Sequence, residues 1–243
     1  MRNLIKADLK RILKTKMLYV GTVIAAAVMV FSILRNLTAS GRNATGYMIG
    51  LNSSLDGFLF PVVIALPVFI AVFSHELTSK SMQCILGHGL TRGKLITAKF
   101  LEAAILLAGI FAILMVAALV LASPGYAISS RQMTNGIIAI WLRALRFFGY
   151  ICFSAMIMFI FNSTALGIIV CVAFTLILRI LFMAISRLGG IPIYDYTIDG
   201  LLDRAYRSIE AGGPGLQIIP VFLYIIAAVS VTIFFFNRKE FEF

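Results

Sequence analysis

The chain of 243 residues carries a formal charge of +11, is 61% hydrophobic and is only 13% charged. Soluble domains hold roughly 45–50% apolar and about 25% charged residues, so a water-exposed globule could not hide this much apolar surface. The apolar residues form blocks long enough to cross a bilayer, and Lys and Arg gather at the block edges, where positive charge sets orientation. That arrangement argues against nucleic acid as a partner and for an all-α, polytopic membrane protein that meets lipid, read as one domain over 1–243.

The opening stretch, about 1–16, places Leu4, Ile5, Leu9, Ile12 and Leu13 near one face and Lys6, Lys10, Arg11, Lys14 and Lys16 mostly around the rest, as an interfacial amphipathic helix would. Six basic residues precede the first span against Asp8 alone, which puts the amino terminus in the cytoplasm. Spans are expected at about 17–34, 57–74, 98–122, 147–161, 165–185 and 216–236, six in all, with both termini cytoplasmic. The segment at about 35–56, rich in Gly, Ser, Asn and Thr, reads as a polar outer loop, and Pro61 and Pro67 should kink the second span. Arg143 and Arg146 interrupt the fourth block, which predicts an interfacial helix feeding a short span. Asn162, Ser163 and Thr164 form a tight turn, Arg179 snorkels near the outer end of the fifth span, and a glycine-rich loop at about 186–215 precedes the last. Arginines on the outer side remain unexplained by orientation alone.

Several chemistries are excluded. His75 and Glu76 begin a zinc-protease motif, but Ser79 stands where its second histidine belongs. Cys84, Cys152 and Cys171 suggest neither a disulfide framework nor a metal site. The phosphate-binding GxxxxGK[ST] pattern is missing, so the chain is no enzyme of that kind and binds no ATP in that manner. Glu102 follows Lys99 by three residues, the spacing of an ion pair on one helix face.

The stretch from Phe73 to Glu102 carries the most information. Phe73 and Glu76 lead into a short amphipathic segment in which Met82, Ile85 and Leu86 share a face, then a Gly-His-Gly break, then Arg92, Lys94 and Lys99 before the third span. In this pattern, and in its six spans, amphipathic amino end and aromatic-then-basic close, the chain resembles the membrane subunits of type-2 ATP-binding-cassette (ABC) exporters. The resemblance implies a dimer of permeases, homo- or heteromeric, joined to two cytosolic ATPase subunits that hold ATP and Mg, with no cofactor on this chain. It implies that 75–97 carries a cytoplasmic coupling helix, with Glu76, Met82, Ile85, Leu86 and Arg92 meeting the ATPase. It further suggests that Gly21, Ala25, Ala26, Ala27 and Gly167 pack the permease interface.

Phe58, Phe60, Phe69, Phe147, Phe148, Met156 and Met158 are candidates to line a translocation path, and such apolar walls suit an amphipathic peptide or hydrophobic compound. Exporters of antimicrobial or toxin peptides and of bacteriocin immunity have subunits of this size, which implies a bacterial cell membrane. A scarcity of charges inside the spans argues against a proton-driven secondary transporter. That class and a non-transporting scaffold stay open as alternatives.

Overall fold

The computed structural model describes residues 2–39, 44–57, 60–74, 91–122, 129–190 and 192–238. Among these the chain is helical throughout, with no strand. The elements run α1 (Arg2–Ile12), α2 (Lys16–Ala39), α3 (Ala44–Leu55), α4 (Phe60–Phe69) with a π-helical extension Ile70–Ser74, α5 (Arg92–Ala122), α6 (Ser130–Phe161) and α7 (Thr164–Val172). A second π segment, Ala173–Leu178, leads into α8 (Arg179–Gly189), followed by α9 (Ile198–Glu210) and α10 (Ile218–Arg238).

Among the described residues, five helices are long and apolar enough to cross a membrane: α2, α5, α6, the run Thr164–Leu188, and α10. The pair Ala44–Leu55 and Phe60–Ser74, bent by 45°, makes a sixth if it is one broken span. Val23, Phe31, Val120, Ile169 and Leu223 point outward along these helices, a surface that lipid solvates and water would not.

Helix α6 is the axis of the bundle. In its most apolar stretch 61% of the residues are buried, against 11% for Thr164–Leu188. It packs against α3, α4, α5, α7, α9 and α10. The expectation of an interfacial helix feeding a span at 147–161 is corrected: α6 is continuous over 32 residues. Ser129 caps its start reciprocally with Gln132, and Asn162 ends it in the left-handed conformation at φ 55°. Arg143 and Arg146 do not break it because their charges are met from other elements, as described below.

The polar loop expected at 35–56 is also corrected, since 44–55 is helix α3, lying along α2. Its small residues permit that closeness. A Cβ on Gly50 would stand 2.7 Å from the Ile33 Cα, and the Ser32 and Ser53 hydroxyls meet at 3.1 Å. The bend of the second span falls between α3 and α4, ahead of Pro61, which sits in the first turn of α4 where no backbone donor is required. Pro67, inside α4, cannot bond the Val63 carbonyl, and that oxygen faces α2, 2.7 Å from where a Cβ on Gly21 would be.

Gly21 and Ala25 are therefore buried inside this chain, while Ala26 is partly buried against the core and Ala27 is exposed. Gly167 is likewise buried, with Phe69 and Met158 each 2.8 Å from its would-be Cβ. Apart from Ala27, these small residues tighten the fold of a single copy. The interface expectation does not explain them.

Candidate functional site

Halfway along α6, a set of charged side chains is folded away from lipid. Arg146 lies fifteen residues before Phe161, about 22 Å along the helix at 1.5 Å per residue, and its side chain is 3% exposed. Its guanidinium reaches three aspartates: Asp56 Oδ1 at 3.0 Å, Asp199 Oδ1 at 3.2 Å and Asp203 Oδ1 at 2.6 Å. One turn earlier, Arg143 donates to Asp56 Oδ2 at 2.8 Å and stacks over the Tyr206 ring at 5.3 Å. Arg179, at the start of α8, stands 3.7 Å from Asp56 and 3.9 Å from Asp203. Tyr150 donates to Asp199 at 2.5 Å and Tyr194 donates to Asp203 at 2.6 Å. Burial, reinforced by the Asp203 carboxylate, pushes the Tyr194 hydroxyl well up, so it remains a donor.

Three arginines meet three aspartates, and the cluster is neutral as a whole. The planar guanidinium makes this possible, because its fork of five donors can serve several carboxylates where an ammonium acts as a point charge. No three His, Cys, Asp or Glu among the described residues converge to hold a metal ion.

Helix α9 exists in its place because of this cluster. Asp199 and Asp203 lie one turn apart on one face of α9, and both reach Arg146 on α6. Ile198 packs on Gly149, while at the other end Arg131 donates to the Glu210 carbonyl at 2.9 Å. So α9 runs antiparallel along the first half of α6. The loop expected at 186–215 thus re-enters the bundle to mid-depth. Arg179, expected to snorkel outward, turns into the cluster instead.

Beside the network lies a cavity of about 270 Å³, lined by Asp56, Gly57, Pro61, Thr175, Leu176 and Arg179 among others. It opens where the bent second span meets the π segment of the fifth. A larger groove of about 400 Å³ runs between α5, α6 and α10, walled by Leu107, Trp141, Phe148 and Phe222.

A second buried cluster occupies the opposite, basic end of the bundle. Lys99 Nζ donates to Glu102 Oε2 at 2.9 Å, the pairing expected from their spacing, and to Asp8 Oδ2 of α1 at 2.6 Å. Lys99 and Glu102 are wholly buried, so this triad docks α1 onto α5. At the same end Arg92 donates to the Asn237 carbonyl at 3.1 Å, tying α5 to the close of α10.

The sequence-predicted residues distribute unevenly. Glu76, Met82, Ile85 and Leu86 of the coupling segment, and Phe58 of the path, lie outside the described residues. Phe60, Phe69, Phe147 and Met158 are buried in the core of this one chain, where Phe60 and Phe147 approach at 6.3 Å and Phe147 meets Phe111 at 5.5 Å. Met156 packs partly buried against that core. Of the named path residues, Phe148 lines an open groove.

The ionic network gathers buried charges that the sequence reading left scattered. Asp56, Asp199, Asp203, Tyr150 and Tyr194 escaped sequence reading. The available signal was that the aspartates beyond Asp8, namely Asp56, Asp195, Asp199 and Asp203, all fall on what was read as the outer side, where the unexplained arginines also lie.

Residues 2–220 match the family described as ABC-2 family transporter protein, and a search of curated proteins found no match. Permeases of this class are membrane components that pair with an ATPase subunit and are not themselves the ATPase. A match over so much of its length, on a bundle of spanning helices, makes this chain a member of the ABC-2 transporter family.

Proposed function

We propose that this chain is the permease of an ATP-driven exporter that moves an amphipathic peptide or hydrophobic compound out of the cell. Two permease copies work with two cytosolic ATPase subunits, which hold the ATP and Mg. The basic end of the bundle, with Lys6, Lys10, Lys14, Lys94 and Arg238, faces the cytoplasm, because Lys and Arg stay on that side. The coupling segment, with Glu76, Met82, Ile85, Leu86 and Arg92, then stands within reach of the ATPase.

One observation carries the reading: the cavity edged by Asp56 and Arg179 sits between two spans that both lose regular α-helical winding. The network makes α6, α9, Arg179 and the bend of span two one block in the extracellular half. The π segments 70–74 and 173–178 lie on the cytoplasmic side of that block, and π turns recur where helices serve function. Closure of the ATPase pair pushes on the segment after Ser74, and spans two and five yield at these segments while the block moves as a body. The cavity's apolar walls and ion-pair edge suit a cargo with one charged group on an apolar body.

Buried ion pairs inside a bundle also favour a secondary transporter. Arginine, however, does not release its proton, which suits a seal better than a proton relay.

The test is transport in vesicles holding this chain and its ATPase partner. Uptake into inverted vesicles should require ATP hydrolysis, and Glu76→Lys should leave the permease inserted while abolishing cargo-stimulated hydrolysis. Uptake driven by a pH gradient without the ATPase would overturn the exporter reading. Full coupling in the Glu76→Lys protein would overturn the role of the coupling segment.

A further inference from the structure

We infer that α1 is a binding site for acidic phospholipid headgroups of the leaflet at the basic end of the bundle. Orientation signals require only that Lys and Arg lie near a span; they do not require order among them. Here they are ordered. Lys6, Lys10 and Lys14 are spaced four residues apart and exposed, with Lys16 exposed beside them, while Ile12 is buried.

The one acid of this segment is already engaged, its Oδ1 standing 3.6 Å from Arg11. Asp8 turns into the bundle and meets Lys99 Nζ at 2.6 Å, and Lys99 is wholly buried. That contact has two effects: it removes the carboxylate that would neutralise neighbouring lysines, and it fixes which face of α1 looks outward. Leu13 and Met17, at the end of the segment, are both nearly half exposed, so apolar surface for acyl chains lies close to the cations. A helix lying in the interface with a cationic outer face binds anionic lipid electrostatically.

The occupant is a lipid because the patch borders the start of a spanning helix, α2, whose flanks Tyr19, Val20 and Val23 face lipid. The leaflet rests on the orientation proposed above. The binding itself needs neither ATPase nor cargo.

The experiment uses the purified full chain in nanodiscs of equal phosphatidylglycerol and phosphatidylcholine, moved into mild detergent, with co-purifying lipid counted by mass spectrometry. The chain should retain phosphatidylglycerol over phosphatidylcholine, and the preference should fall with added salt. Each cation near the surface contributes about a fivefold factor, so changing Lys6, Lys10 and Lys14 together to Gln should weaken retention by roughly a hundredfold. Changing the same three to Arg should preserve it. Unchanged preference in the Gln variant would overturn the proposal, as would equal loss in the Arg variant. Because nanodiscs expose both leaflets and contain no ATPase, failure here leaves the transport reading standing, and failure of transport leaves this binding standing.

Discussion

Removing Arg146 tests whether the buried network holds the bundle together. In an Arg146→Met protein the side chain keeps its length and loses its charge, and three ionic contacts vanish at 3.0, 3.2 and 2.6 Å. The aspartates are not abandoned, since Asp56 keeps Arg143 at 2.8 Å, Asp199 keeps Tyr150 at 2.5 Å and Asp203 keeps Tyr194 at 2.6 Å. Breaking a buried pair costs about 3–5 kcal/mol when a charge is stranded, and these remaining partners place the loss near 3 kcal/mol. For a chain of this size each kcal/mol moves the midpoint by about 2–4 °C, so thermal unfolding in detergent should drop by roughly 6–12 °C. Arg146→Lys should recover only part of it, because an ammonium cannot serve three carboxylates. Arg146→Met combined with Asp199→Asn should lose less than the sum of the single changes, with about 1–3 kcal/mol of coupling. A midpoint within a degree or two of the wild type, or strict additivity in the double variant, would refute the network as a structural lock.

Gly21→Ala should destabilise the monomer by about 1–3 kcal/mol, since its methyl would stand 2.7 Å from the Val63 carbonyl; unfolding midpoint and oligomeric state should be read together, and a change in oligomer alone would restore the interface explanation. Lys99→Met removes the cation that Asp8 and Glu102 share, and α1 should lose hydrogen-exchange protection while α10 keeps its own; equal protection of α1 would sink the docking role. Tyr194→Phe should cost about 1 kcal/mol. Burial raises the folded hydroxyl above its ordinary value of 10.0, so that contribution is complete below pH 10 and lost only in stronger alkali; a decline between pH 6 and 8 would contradict it.

What sequence reading captured is what hydrophobic length alone decides. The span expected at 98–122 is the apolar part of Arg92–Ala122, the last span lies at Ile218–Arg238, and the turn at Asn162–Ser163 falls where it was expected. The ion pair of Lys99 with Glu102 was legible too, being local. Helix α3 was not, because Gly50, Ser53 and Ser54 read as loop composition, and only contact with α2 turns small residues into packing surface. The reading of α6 failed for a related reason. Arg143 and Arg146 look like interruptions until Asp56 arrives from 87 and 90 residues away, a pairing no local window contains. Of the candidate site residues, Arg92 ties α5 to the close of α10 and Phe148 lines a groove, whereas Phe60, Phe69, Phe147 and Met158 went to a core that any apolar residue can fill.

The ionic network also dictates an order of assembly. Ribosomes deliver Asp56 first, then Arg143 and Arg146, then Arg179, and only afterwards Asp199 and Asp203. The running charge of the cluster is thus −1 after the second span, +1 after the fourth and +2 after the fifth, returning to zero when α9 is made. Each arginine-bearing helix enters the bilayer with a single acid to receive it. The network is then completed by α9, a late piece that a truncation before Asp199 would leave missing.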